Sequence, residues 1–159
     1  MPEVFCNSSP IQYLFQSGHL DLLRQIYGKI VNPSAVSHEL DTGRLKGVNL
    51  PTVGQLSWIE VRPVPFSEDS SLPGIGPGEA EVLALGRMNP DPTVILDDGP
   101  ARAYAQSAAI KLPGTCGLLL KAKVIGILPA VRPVLNDFNR LGFRLSRATY
   151  DSILKLADE

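Results

Sequence analysis

Apolar positions along the chain switch repeatedly between two periods, and the switching predicts short strands interleaved with helices. Val4-Phe5-Cys6 is a short apolar run of strand formers that ends in the turn and helix-start cluster Asn7-Ser8-Ser9-Pro10. Ile11, Leu14 and Phe15 then recur at helical spacing up to Gly18, and Leu20, Leu23, Ile26 and Tyr27 do so up to Gly28. Lys29-Ile30-Val31 is a second strand candidate. After it, Asn32-Pro33-Ser34 offers capping residues and a first-turn proline to a helix that carries Val36, Glu39 and Leu40. Residues 42–57 mix glycine, proline and polar residues with isolated leucines, and their pattern selects no single state.

Trp58 to Val64 is rich in β-branched and aromatic residues, as a third strand requires, and Pro65–Gly78 reads as a long loop. Strong helix formers follow from Gly78 to Leu85, with Glu79 and Glu81 in the first turn, and Asn89-Pro90 ends them. Thr93-Val94-Ile95-Leu96 is the clearest strand, an uninterrupted apolar run of the kind buried on both faces of a parallel sheet, and it delivers Asp97-Asp98 at its end. A helix over Pro100–Ala109, a short Ile110-Lys111-Leu112 strand and helices over Leu118–Val124, Pro133–Leu141 and Ser146–Leu156 complete the pattern. The expected fold class is α/β with a small, mostly parallel central sheet, whose ligand site lies beyond the carboxyl ends of the strands.

Composition narrows the setting. A chain of 159 residues with 44% hydrophobic content suits one domain spanning 1–159, since domains commonly run to roughly 100–200 residues. No apolar run approaches the ~18 residues a membrane helix needs, and no basic leader opens the chain, so a soluble, cytoplasmic protein without a membrane partner is expected. Cys6 and Cys116 lie far apart and suggest neither a disulfide framework nor a cysteine zinc site. The formal net charge of −1 argues against a generally basic nucleic-acid binder. The charge is nevertheless uneven. Residues 1–99 hold 6 Lys/Arg against 12 Asp/Glu, and residues 100–159 hold 9 against 4. Folding can intermix the halves, or it can set a carboxylate cluster beside a cationic wall, which would suit metal ions and a phosphate backbone.

The strand-end rule selects Asn7 and Asp97-Asp98, and nothing in the residues alone joins Glu39 or Glu79 to them, although Glu39 sits close to its helix's apolar face, an unusual place for a solvating charge. Each acid also has a bland role open to it: Glu39 as a helix-edge acid, Glu79 as a partner of the helix dipole, and Asp97 or Asp98 as a helix cap. Three or four such carboxylates meeting at one sheet edge would repel each other unless a divalent cation neutralised them. Oxygen-only ligands favour magnesium or manganese, and such ions suit hydrolysis of a phosphodiester. His19 and His38 form no catalytic triad pattern, and Gly74-Ile75-Gly76-Pro77-Gly78 lacks the residues of a phosphate-binding loop.

The ordered set CNSSP, GHLDLLRQIYG, VSHEL, GPGEAEVLALG, ILDDGPARAYA, LPGTCGLLLKAK and GFRLS is similar to the PIN-domain family, in particular to its short prokaryotic VapC-like toxins, from about residue 3 to residue 156. The resemblance implies a three-layer α/β/α PIN-like fold and an Mg²⁺- or Mn²⁺-dependent endoribonuclease. The toxin of a type II pair would have RNA as substrate, a small antitoxin as partner and often a second copy of itself in a homodimer. Carried over by position, the metal-binding and catalytic acids fall on Glu39, Glu79, Asp97 and Asp98, and the hydroxyl of the first loop on Ser9. Arg102 and Lys121 are candidates for holding phosphates. The departure is Asn7, where relatives of this kind carry an aspartate. An amide oxygen can ligate a hard cation, but it removes one negative charge from the cluster and weakens both metal attraction and water activation. The alternative implied by that departure is a catalytically degenerate PIN-like module that acts through antitoxin or RNA binding.

Overall fold

The computed structural model describes residues 2–65, 74–108 and 110–159. In chain order the elements are β1 (Val4–Cys6), α1 (Ser8–Gln16), α2 (Asp21–Tyr27), β2 (Ile30–Pro33), α3 (Ser34–Leu45), a 3₁₀ turn (Val53–Gln55), β3 (Ile59–Arg62), α4 (Pro77–Met88), β4 (Thr93–Ile95), α5 (Gly99–Ser107), α6 (Thr115–Val124), α7 (Arg132–Leu141) and α8 (Arg147–Leu156). The strands form one sheet in the order β3-β2-β1-β4, and all three pairings are parallel. Flanking helices complete a three-layer α/β/α fold. Every residue of the central strands β1 and β2 is buried, as expected where helices cover both faces of a parallel sheet. Among the described residues no helix is long and apolar enough to cross a membrane.

Three local expectations give way to tertiary demands. Asn32 does not cap a helix but lies within β2, where its fully buried amide donates to the Cys6 carbonyl at 2.8 Å and ties β2 to the end of β1, while Pro33 ends the strand and is the residue from which α3 starts at Ser34, as expected. Ile110-Lys111-Leu112 is no regular strand. It meets the outer edge of β4 through a single parallel bridge, Thr93 to Lys111, with Val94 N–H donating to the Lys111 carbonyl at 2.9 Å. The ambiguous stretch 42–57 splits, α3 running on to Leu45 and the 3₁₀ turn forming at Val53–Gln55. Most of the expected loop Pro65–Gly78, and the last residue of the expected helix Pro100–Ala109, lie outside the described residues, while α4 begins with Pro77 in its first turn.

The core runs continuously from the sheet to the last two helices. Phe5, Leu83, Ile95, Leu118 and Phe138 are fully buried in it. At the α1–α7 contact Phe138 forms an aromatic triad with Tyr13, whose ring centroid is 6.1 Å away, and Phe143, at 5.2 Å. That triad pins the segment after α7 against α1, where α1 leaves the end of β1.

Candidate functional site

β1 and β4 lie side by side and end together, so their next residues are neighbours: Asn7 N–H donates to the Ile95 carbonyl at 3.1 Å. A cleft of about 730 Å³ opens at these carboxyl ends. Asn7, Ser9, Glu79, Asp97, Asp98 and Arg102, which come from separate parts of the chain, all line it. Glu39 and Lys121 do not line the cleft. The Lys121 ammonium lies instead 4.8 Å from the centre of the Tyr27 ring, a cation–π contact.

Asn7 occupies the residue before α1, where an asparagine side chain ordinarily caps the helix, yet it makes no capping bond. Its Nδ2 donates to Glu79 Oε1 at 3.0 Å. The residue is 1% exposed, and its Oδ1 has no hydrogen-bond partner. Forgoing a cap ordinarily costs about 1 kcal/mol, and here the amide donates to Glu79 instead.

The acids are tied down individually. Glu39 accepts from Ser8 Oγ at 2.9 Å and from Gly78 N–H at 3.0 Å, joining α3 to the starts of α1 and α4. Asp98 caps α5, accepting from Ala101 N–H at 3.1 Å. Asp97 accepts from Thr115 N–H at 2.9 Å and from the Thr115 hydroxyl, fastening the start of α6 to the end of β4. Burial pushes the Asp97 carboxyl above its ordinary pKa, and the Thr115 bonds and the Arg102 charge only partly oppose it. The Arg102 guanidinium is anchored by the Leu96 carbonyl at 2.7 Å. Burial raises the Cys6 and Cys116 thiols, Cys116 to about 12, so each stays protonated near neutrality.

A cation is tested by the donors present. Among the described residues, no three His, Cys, Asp or Glu side chains are grouped so as to hold an ion by themselves. Asn7 Oδ1, which has no hydrogen-bond partner, and the Glu79 and Asp98 carboxylates that line the same cleft are hard oxygen donors of the kind magnesium and manganese take. In chemical type these donors match a hard divalent cation, with one charge fewer than an all-carboxylate set.

Sequence spacing did not indicate Tyr13, Thr115, Arg144 or Thr149. All but Thr115 line the cleft, and Thr115 holds its Asp97 wall. The only signal for Arg144 was the stretch Gly142–Ser146, which reads locally as a connection between two helices.

Gly78 is packed so closely that a β-carbon there would stand 2.7 Å from both Glu39 carboxylate oxygens. Gly78→Ala is therefore expected to swing Glu39 off Ser8 and off the start of α4 and to destabilise the protein by about 1–2 kcal/mol. Chemical denaturation measures this, and an unchanged midpoint would show that Glu39 has slack the packing denies.

Four parallel strands, helices on both faces and an acidic cleft at the strand ends together define a PIN-type α/β/α fold. The DUF3368 family model, a PIN domain, matches residues 3–159, and the chain belongs to that family of the PIN nuclease superfamily. Neither the curated proteins nor the solved structures give a significant match.

Proposed function

We propose that this protein is an endoribonuclease dependent on Mg²⁺ or Mn²⁺, of VapC type, and that it is the cytoplasmic toxin of a toxin–antitoxin pair, folded as a single domain over 1–159. One observation carries the catalytic part: Asn7, Glu79, Asp97 and Asp98, distant in sequence, line one cleft together with Arg102 at the carboxyl ends of two parallel strands. Family membership supports the nuclease class. The toxin role, the small antitoxin partner and a homodimer rest on the resemblance of the ordered motifs.

Asn7 Oδ1, Glu79 and Asp98 would hold the cation, which when bound neutralises the cluster and supplies a Lewis acid at the phosphodiester. The remaining work belongs to the chain. Arg102, fixed by the Leu96 carbonyl and in no ion pair among the described residues, presents its charge to a phosphate. Ser8, Gly78 and Thr115 hold Glu39 and Asp97 where they stand, so the acids are positioned before substrate arrives. Ser9, on the cleft, is a further contact for the substrate backbone.

The test is cleavage of a mixed RNA pool with manganese or magnesium, comparing the parent with Glu79→Gln and Asp98→Asn. A loss of roughly 100-fold or more in each variant is expected for groups that hold the cation or polarise the reacting phosphate. Residual cleavage equal to that of the parent would place the activity elsewhere.

A second reading has its own observation. The Asn7 amide already hydrogen-bonds Glu79, so that carboxylate has a donor without any metal. This favours a degenerate PIN module that binds RNA or an antitoxin and does not cut. It predicts RNA binding by a parent that shows no cleavage with either ion.

A further inference from the structure

The cleft has a second character beyond its acids. Tyr13, Leu112, Phe143, Leu145 and Ile153 give it an apolar and aromatic wall, and Arg144 stands in the same lining. The wall is built by a specific turn. Gly142 ends α7 at φ 91°, a left-handed conformation suited to glycine, and Phe143 N–H donates back to the Phe138 carbonyl at 2.9 Å. This sets Phe143 edge-on to Tyr13, with centroids 5.0 Å apart and planes at 87°, while the ring stays only partly buried. Arg144, next in the chain, is exposed and forms no ion pair among the described residues.

We propose that the turn Gly142–Leu145 is a nucleotide-positioning wall, in which the Phe143 ring, braced by Tyr13, stacks one unpaired base and Arg144 holds the adjoining phosphate. The proposal rests on the ribonuclease reading and deepens it. A purely electrostatic backbone groove has no use for a partly exposed aromatic beside its carboxylates, whereas a base offers a flat apolar face and carries its phosphate next to it. The cleft volume falls within the roughly 300–1,000 Å³ of pockets that enclose a ligand of nucleotide size. A base paired within a duplex keeps its face covered by its neighbours, so this wall selects an unpaired nucleotide.

The experiment uses the whole chain with Asp98→Asn to suppress cleavage. Asparagine also caps helices well, so α5 is retained. Binding of a short single-stranded RNA carrying one 2-aminopurine is followed by anisotropy and by quenching, and the same sequence is offered as a duplex. Phe143→Ala is expected to weaken binding roughly tenfold and to remove the quenching, the scale of one aromatic–base stack. Phe143→Leu keeps apolar bulk against Tyr13 and should show the same loss, while Phe143→Trp should keep both signals. Arg144→Gln should weaken binding and lower the salt slope by about one phosphate contact, with quenching at saturation intact. Unchanged binding and quenching in Phe143→Leu, or a duplex bound as tightly as the single strand, would overturn the wall while leaving the ribonuclease reading in place. A parent that binds no RNA would overturn both.

Discussion

Asn7→Asp is expected to lower the stability of the metal-free protein by about 3 kcal/mol and to raise its affinity for manganese at least tenfold. The position is 1% exposed and its Nδ2 donates to Glu79. An aspartate removes that donor and sets a second carboxylate against the first in a place with little water to screen them, which penalises the charged pair. The lost stability corresponds to a fall in melting temperature of roughly 6–12 °C for a domain of this size. Manganese reverses the sign, because the same two carboxylates attract the ion. At a hundred times the dissociation constant, binding returns about 2.7 kcal/mol. Melting curves of parent and variant with and without manganese, together with calorimetric titration, read both effects. A variant as stable as the parent without metal, or one that manganese stabilises no further than the parent, would show that Asn7 is not the residue that sets the charge of this cluster.

Phe138→Ala carries the largest expected effect outside the cleft, about 3–5 kcal/mol of destabilisation. Phe138 is fully buried and is packed against both Tyr13 and Phe143. Its removal leaves a cavity under the turn that forms the cleft's apolar wall, so the loss is both transfer energy and lost contact around the void. Urea denaturation measures it, with Val124→Ala as the control. Val124 is 85% exposed, and its truncation should stay within about 0.5 kcal/mol. A Phe138→Ala cost below about 1.5 kcal/mol would mean that Tyr13 and Phe143 close the gap and that the triad does not pin the turn.

Much of the fold was legible because hydrophobic period is a local property. β1, β4, α4 and the last two helices lie close to where the apolar spacing puts them. Legibility failed where a residue serves a distant partner. Asn32 has the local profile of a helix cap, and its bond to the Cys6 carbonyl, 26 positions away, accompanies its place inside a strand instead. Ile110–Leu112 has the composition of a strand but only a single bridge to pair it. Among the candidate site residues, local reading allowed Asp98 to be a cap, and it is one, while it also lines the cleft. It could not distinguish Arg102, held at the cleft by the Leu96 carbonyl, from Lys121, which packs over Tyr27, since both are cations on helices and their partners lie far off in the chain or across the fold.

The sequence by itself determined the alternation of strands and helices, the delivery of Asn7 and of Asp97-Asp98 at strand ends, and the absence of a negative charge at residue 7. These depend on side-chain period, turn chemistry and residue identity, all of which are fixed along the chain. Only the tertiary structure decided that Asn7 turns from its helix to Glu79, that Glu39 is clasped by Ser8 and Gly78, and that Phe143 and Arg144 fold back beside acids set far earlier in the chain. The reason is that a hydrogen bond or a ring contact requires two groups within a few ångströms, and for these pairs that proximity is produced by packing the parallel sheet and the α7–α8 turn around one core.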